Sequence, residues 1–273
     1  MDAGDFDFVR VLVRDRSAIV LETGKEYMVE ARLESLVSRR GFNSLQTLIT
    51  AARKESAGPL RREVVEAMTT NETLFFRDMH VFEALRKNIL PGLIERRKAE
   101  RVLRIWCAAC SSGQEPFSLA ILLKEHFAQL ASWKIQILAT DLSSEMVERA
   151  RSGTYRQLEV NRGLPSALLL RHFEKRGLEW HVRAELKSNI EFQQMNLVEA
   201  WPHRPPFDLV FLRNVLYYFE PSTRRTLLGQ MLGALRTDGV LLLGATETVV
   251  GVHPGFVPVA YPGATAFERR SCL

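Results

Sequence analysis

The sequence predicts an α/β fold: a mostly parallel sheet covered by helices on both faces, behind a helical N-terminal unit and interrupted by a small β-containing insertion. Three observations carry this expectation. From Val102 onward, short apolar runs alternate with amphipathic helical stretches. Up to Met68, every apolar stripe has helical spacing. Between two of the later runs, a segment of about 155–190 breaks the alternation with short mixed elements.

The N-terminal unit is expected over 1–70. Phe8, Leu12 and Val13 form one stripe; Tyr27, Met28, Ala31, Leu33 and Leu36 a second; Leu45, Leu48 and Ile49 a third; Leu60, Val64, Val65 and Met68 a fourth. Gly24, Gly41 and the Gly58-Pro59 pair separate them. A connecting segment and first helix follow over 71–100, opening with Thr69-Thr70-Asn71-Glu72-Thr73-Leu74-Phe75-Phe76-Arg77-Asp78. Thr70 or Asn71 suits the N-cap of a helix beginning here. Arg77, following two phenylalanines, suits a cation held in a partly apolar cleft, the alternative being an exposed helix charge.

The remainder, 101–273, forms the α/β domain. Val102, Leu103, Ile105 and Trp106 read as a buried strand, followed by the low-bulk residues Cys107 to Gly113 and a helix with Leu119, Leu122, Leu123 and Phe127 on one stripe. A second strand carries Ile135, Ile137 and Ala139 and ends at Thr140 and Asp141. A carboxylate at that position is suited to grip the two hydroxyls of a ribose, so the unit reads as a nucleoside-binding crevice. Only Gly113 of a three-glycine dinucleotide pattern is present, and Glu115 and Pro116 at the helix entry disfavour a diphosphate. A phosphate-free, positively charged nucleoside is expected, and S-adenosylmethionine (SAM) has that chemistry.

Beyond Asp141 the pattern predicts a helix over Ser143 to Arg151 capped by Ser143 or Ser144, a helix over Leu164 to Phe173, a turn at Gly177, and short strands at Trp180–Val182 and Ile190–Gln193. Parallel strands resume through Asn196 and Leu197 and through Phe207 to Leu212, then a helix from about Ser222 to Arg236, the run Val240 to Leu243, and a terminal hairpin of Phe256–Val259 with Thr265–Glu268. Asp141, Asn196, Arg213, Asn214 and Glu247 follow strand ends, where ligands of such sheets bind, with Glu115 and Tyr218 close behind. Each has a plainer alternative: Asp141 as a helix cap, Glu115 as a first-turn acid, the two asparagines as turn residues, Tyr218 as aromatic packing beside Tyr217 and Phe219.

Composition bounds the partners. The chain of 273 residues carries a net charge of +5 and three cysteines. An odd cysteine count argues against a disulfide framework, no apolar run approaches a membrane span, and the acidic N-terminus lacks the features of an export signal, so a cytoplasmic protein is expected. Bases gather over 85–104 without an aromatic platform, so nucleic acid is not expected.

The motifs Thr69–Arg77 (TTNETLFFR), Ile105–Pro116 (IWCAACSSGQEP), Ala139–Asp141 (ATD), Arg151–Arg156 (RSGTYR), Met195–Leu197 (MNL) and Phe207–Phe219 (FDLVFLRNVLYYF) resemble, in order, those of the chemotaxis receptor methyltransferases, the CheR family. The resemblance implies a Rossmann-like, SAM-dependent protein-glutamate O-methyltransferase that esterifies glutamates on the cytoplasmic helical region of bacterial methyl-accepting chemoreceptors, releasing S-adenosyl-L-homocysteine. By it, Asn71, Thr73, Arg77, Glu115, Asp141, Asn196, Leu197, Arg213 and Asn214 contact SAM, and Arg77 and Tyr218 form the catalytic pair. The chain departs from many members in Cys107, Cys110 and Gln114. Its insertion has only Gly177 between Phe173 and Leu186, which argues against tethering of a receptor tail peptide there.

Two other classes compete. Trp106-Cys107-Ala108-Ala109-Cys110 has redox-motif spacing, but Ser111 to Glu115 separate the pair from the helix that would activate a thiol. Zinc or another metal is not expected, since no second cysteine pair or histidine cluster completes four ligands. A non-catalytic sensor of SAM or its product is distinguished only by Arg77 and Tyr218.

Overall fold

The computed structural model describes residues 1–270. Four helices form the N-terminal unit: α1 (Ala3–Ser17), α2 (Glu26–Arg39), α3 (Leu45–Lys54) and α4 (Pro59–Ala67). Their starts follow local chemistry: Asp2 accepts a bond from the Asp5 amide, Ser44 and Thr47 form a capping box, and Pro59 takes the first turn of α4. Their core joins Phe6, Val9, Leu12 and Val13 to Val29, Leu33, Leu36, Leu48, Ile49, Val64 and Val65. The structure departs from the expected stripe on α2: Tyr27 and Ala31 face solvent, and Val29 fills the core with Leu33 and Leu36. Tyr27 and Ala31 share a helix face, but it is the face turned away from α3 and α4.

No helix begins at Thr70 or Asn71. Residues 69–78 run as an irregular strap, and the next helix, α5 (Met79–Ala84), continues through a π-helical turn (Leu85–Ile89) into α6 (Leu90–Arg96). The turn widens the ladder just before Pro91, which has no N–H to donate.

The main sheet is built from β1 (Val102–Ala108), β2 (Lys134–Asp141), β6 (Ile190–Gln194), β7 (Phe207–Leu212), β8 (Leu235–Leu243), β9 (Phe256–Tyr261) and β10 (Ala264–Arg269). Their order is β6-β2-β1-β7-β8-β10-β9, with the first five parallel and the terminal hairpin antiparallel. Period-2 alternation splits the core between the two faces. Leu103, Ile105, Cys107, Leu209, Phe211, Val240 and Leu242 enter one cluster; Trp106, Ala108, Val210, Leu212, Leu241 and Leu243 enter the other. Helix α7 (Gln114–His126) follows β1, α8 (Ser144–Ser152) follows β2 with Ser143 as its cap, and α12 (Pro221–Ala234) precedes β8.

The insertion is a three-stranded antiparallel sheet of its own, in the order β3 (Thr154–Arg156), β5 (Glu179–Val182), β4 (Phe173–Arg176), with the short helices α9 (Gln157–Val160), α10 (Ser166–His172) and α11 (Ala184–Lys187). Strand β3 is too short to leave a pattern in sequence. Helix α10 is shorter than the expected Leu164–Phe173, and Arg236 lies in β8 rather than at a helix end. The cause of the second difference is pairing: Leu235 sits opposite Phe207, and the register shifts before Leu209, so the strand starts well ahead of its continuous apolar run.

Candidate active site

A cavity of about 940 Å³, counted to its open mouth, lies at the carboxyl ends of β1, β2 and β7, where ligands of such sheets bind. All ten residues singled out from the motifs line it: Asn71, Thr73, Arg77, Glu115, Asp141, Asn196, Leu197, Arg213, Asn214 and Tyr218. The strap over 69–78 forms one wall, the loops after the strands form the floor, and Ser17 and Ile19 of the N-terminal unit close one side. Ile19 bridges to Phe219, and the Val20 amide donates to the Tyr218 carbonyl at 3.1 Å.

The turn after β1 is sharply bent. Ala109, Ser111 and Gly113 all have positive φ (64°, 48° and 94°). A Cβ on Gly113 would meet Ala150 Cβ at 2.9 Å, so the residue gives close packing as well as the left-handed conformation. Asp141, 7% exposed, accepts bonds from the Ser111 amide (2.7 Å) and the Ser143 amide (3.0 Å). Burial raises its pKa and those two amides oppose the rise. It is therefore the anchor of both loops rather than the cap of α8.

Arg213 is the electrostatic centre of the opposite wall. Its guanidinium donates to Glu115 Oε2 (2.7 Å), to Asp78 Oδ2 (2.6 Å) and to the Arg77 carbonyl (3.0 Å), while its Nε is buried without a partner. Burial raises the Glu115 pKa, and Arg213 is the main force lowering it. Arg77 is half-buried outside any helix and donates to the Glu72 carbonyl at 2.9 Å. Tyr218 is half-buried on the cavity wall, its ring 4.5 Å from that of exposed Tyr217. Arg77 is therefore not an exposed helix charge, and Tyr218 packs on Tyr217, as the plainer alternative has it, while also lining the cavity rather than entering the core.

Three residues behave differently from expectation. Glu247, grouped with the strand-end residues, is outside the cavity lining: Oε1 accepts from the amides of Val215 (2.8 Å) and Leu216 (2.7 Å), Oε2 from Asn214 (2.7 Å) and Gly244 (2.7 Å). It shapes the loop that carries Asn214 and Tyr218. Asn196 lines the cavity, but its amide N–H groups are taken by the Arg16 carbonyl (2.7 Å) and Glu199 (2.9 Å), leaving it no free donor. Asp78 was missed, although it directly follows Arg77, because its role exists only through Arg213.

Cys107 and Cys110 are free and buried, and burial pushes both thiols well above the ordinary range. That is the setting of an inert cysteine, opposite to an activated one. Among the described residues no cluster of histidine, cysteine or acid is placed to hold a metal, and no helix is long and apolar enough to cross a membrane.

The family models for the CheR methyltransferase all-alpha domain and the CheR methyltransferase SAM-binding domain match residues 4–69 and 71–261. The chain belongs to the CheR methyltransferase family. It is 42% identical over 250 residues to chemotaxis protein methyltransferase 1 of Pseudomonas aeruginosa, covering 90% of both chains. To chemotaxis protein methyltransferase Cher2 of Pseudomonas putida it is 39% identical over 92% of this chain and 94% of that one. A Vibrio cholerae chemotaxis protein methyltransferase 1 is 38% identical over 92% and 90%. The enzyme is thus a SAM-dependent methyltransferase, and its donor set fits SAM: among the lining residues the carboxylates of Glu72, Glu115 and Asp141 against the guanidiniums of Arg77 and Arg213 leave one negative charge in excess, matching a ligand of net positive charge.

Proposed function

We propose that this enzyme transfers the methyl group of SAM to glutamate side chains on the cytoplasmic helical region of bacterial chemoreceptors, working in the cytoplasm. The reading rests on the gathering of Arg77 and Tyr218 with Glu115 and Asp141 around one cavity, in a chain whose relatives bear the name chemotaxis protein methyltransferase. Bound SAM supplies an electrophilic methyl: the carboxylate O–C bond forms as the S–C bond breaks, and S-adenosyl-L-homocysteine leaves neutral at sulfur. A glutamate of pKa about 4.3 is ionised at neutral pH, so no side chain need remove a proton.

The protein's task is positioning, which can supply up to about 7–11 kcal/mol. Asp141 would hold the ribose hydroxyls, with Asn71, Thr73, Asn196, Leu197 and Asn214 around the nucleoside. Glu115 would face the positive end of the ligand and the unpartnered Nε of Arg213 its carboxylate. Arg77 and Tyr218 would orient the incoming glutamate by guanidinium and hydroxyl bonds. The β4–β5 hairpin closes through Gly177 and Leu178 alone, which supports docking of the substrate without a tethered tail peptide.

The test is transfer of labelled methyl from SAM to membranes containing the cognate receptor, followed by mild alkali. Release of labelled methanol is expected for a carboxyl ester. Alkali-stable label would remove the glutamate assignment and keep the methyltransferase. SAM binding with no transfer would favour a sensor.

A further inference from the structure

Arg77 lies in a backbone that does not hold itself. Phe76 and Asp78, on either side of it, both have positive φ (51° and 60°) without being glycine, a conformation that persists only where surroundings enforce it. Four contacts enforce it. The Phe76 amide donates to the fully buried Ser118 hydroxyl at 2.9 Å, and that hydroxyl donates in turn to the Gln114 carbonyl at 2.6 Å, fastening the turn to α7. Arg213 holds the Arg77 carbonyl and the Asp78 carboxylate.

The other two come from the insertion. The ring of Phe75, fully buried, packs edge-on against Tyr155 of β3 (5.0 Å between centroids) and Phe173 of β4 (5.5 Å). Gly163, in the loop between α9 and α10, lies so close that a Cβ there would overlap the Phe75 carbonyl oxygen. Tyr155 also donates to the Ser112 carbonyl at 2.7 Å, so the same unit grips the turn after β1.

We infer that the inserted unit, together with Ser118 of α7, is the support that sets the position of Arg77, making Gly163 and Ser118 positioning residues for methyl transfer. The inference rests on the reading of Arg77 as the group that orients the substrate carboxylate. It gives the insertion a task that is independent of any partner bound to it.

The variant Gly163→Ala forces the Phe75 carbonyl to move, and Gly177→Ala is its control: Gly177 also has a positive φ in the same unit (59°, against 88° at Gly163), with nothing within 4 Å of the added Cβ. In the receptor methylation assay Gly163→Ala should lower kcat by about 10- to 100-fold while SAM affinity by calorimetry stays within about twofold, and Gly177→Ala should leave both unchanged. Ser118→Ala, which removes one hydroxyl and adds no bulk, should show the same split at smaller size. Adding Gly163→Ala to Arg77→Ala should cost nothing further. Equal losses in the two glycine variants, a fall in SAM affinity matching the fall in kcat, or normal kcat in both Ser118→Ala and Gly163→Ala would overturn the inference while leaving Arg77 its role. An unchanged rate in Arg77→Ala would overturn that reading and this inference with it.

Discussion

Replacing Arg213 by leucine is the most informative perturbation of the cavity. The guanidinium holds three acceptors at once, and removing it strands the two acids it pairs, Glu115 and Asp78, at unequal cost. The Asp78 side chain is 31% exposed and can recover water, whereas that of Glu115 is 13% exposed and has lost most of its hydration already. Breaking a buried ion pair from one side costs about 3–5 kcal/mol, and the partial exposure of Asp78 argues for about 3. For a chain of this size that corresponds to a Tm lower by roughly 6–12 °C.

The pH dependence carries the proof of origin. Burial raises the Glu115 pKa in the folded enzyme and Arg213 opposes it, so the variant raises it further. A carboxyl whose folded-state pKa lies above its unfolded value binds more protons when folded, so its unfavourable contribution grows as pH rises through the shifted range and fades as pH falls. The Tm gap between parent and Arg213→Leu should therefore narrow from pH 8 to pH 5.5, by scanning calorimetry. Converting the stranded acid as well, in Glu115→Gln/Arg213→Leu, should restore part of the loss at pH 8. A gap equal at both pH values, or a double variant no more stable than the single, would refute the argument that Glu115 is the source.

The same linkage gives opposite pH trends for stability and for ligand affinity. Burial raises the pKa of both Asp141 and Glu115, so lowering pH through their raised range should stabilise the ligand-free enzyme while weakening SAM binding, and an affinity that stays constant in calorimetry as the pH is lowered through that range would contradict it. Asp141→Ala should weaken SAM binding severalfold or more, since it removes both the proposed ribose acceptor and the anchor of the Ser111 and Ser143 amides; unchanged affinity would remove it from the site. Glu247→Gln places an NH2 group against two of the four amides its carboxylate accepts, so turnover should fall more than SAM affinity as the loop bearing Tyr218 shifts, and unaltered kinetics would show the loop keeps its shape without the charge. Cys107→Ser with Cys110→Ser should keep methyl transfer largely intact, and its complete loss would reopen thiol chemistry.

Much of this protein is local in origin and so was legible in the residues themselves. Strands β1, β7 and the later half of β8 are apolar on both faces and short, α7 and the four N-terminal helices repeat at helical period, and the polar residues that end β2 and β7 mark where the cavity opens. Motif order pointed to the family and to the ten residues that line one cavity. What only the tertiary structure decided is which atoms of those residues remain free. Asn196 spends one amide N–H on a carbonyl 180 positions away, Glu247 takes three of its four amides from backbone 31 to 33 positions away, and Asp78 enters the site only through Arg213, 135 positions on. The stripe on α2 was misassigned for the same reason, since Tyr27 and Ala31 are apolar enough to be buried but face no neighbour. Periodicity reports which face of an element is apolar; hydrogen bonds and close contacts between distant segments depend on how the elements meet, and a one-dimensional pattern carries no record of that.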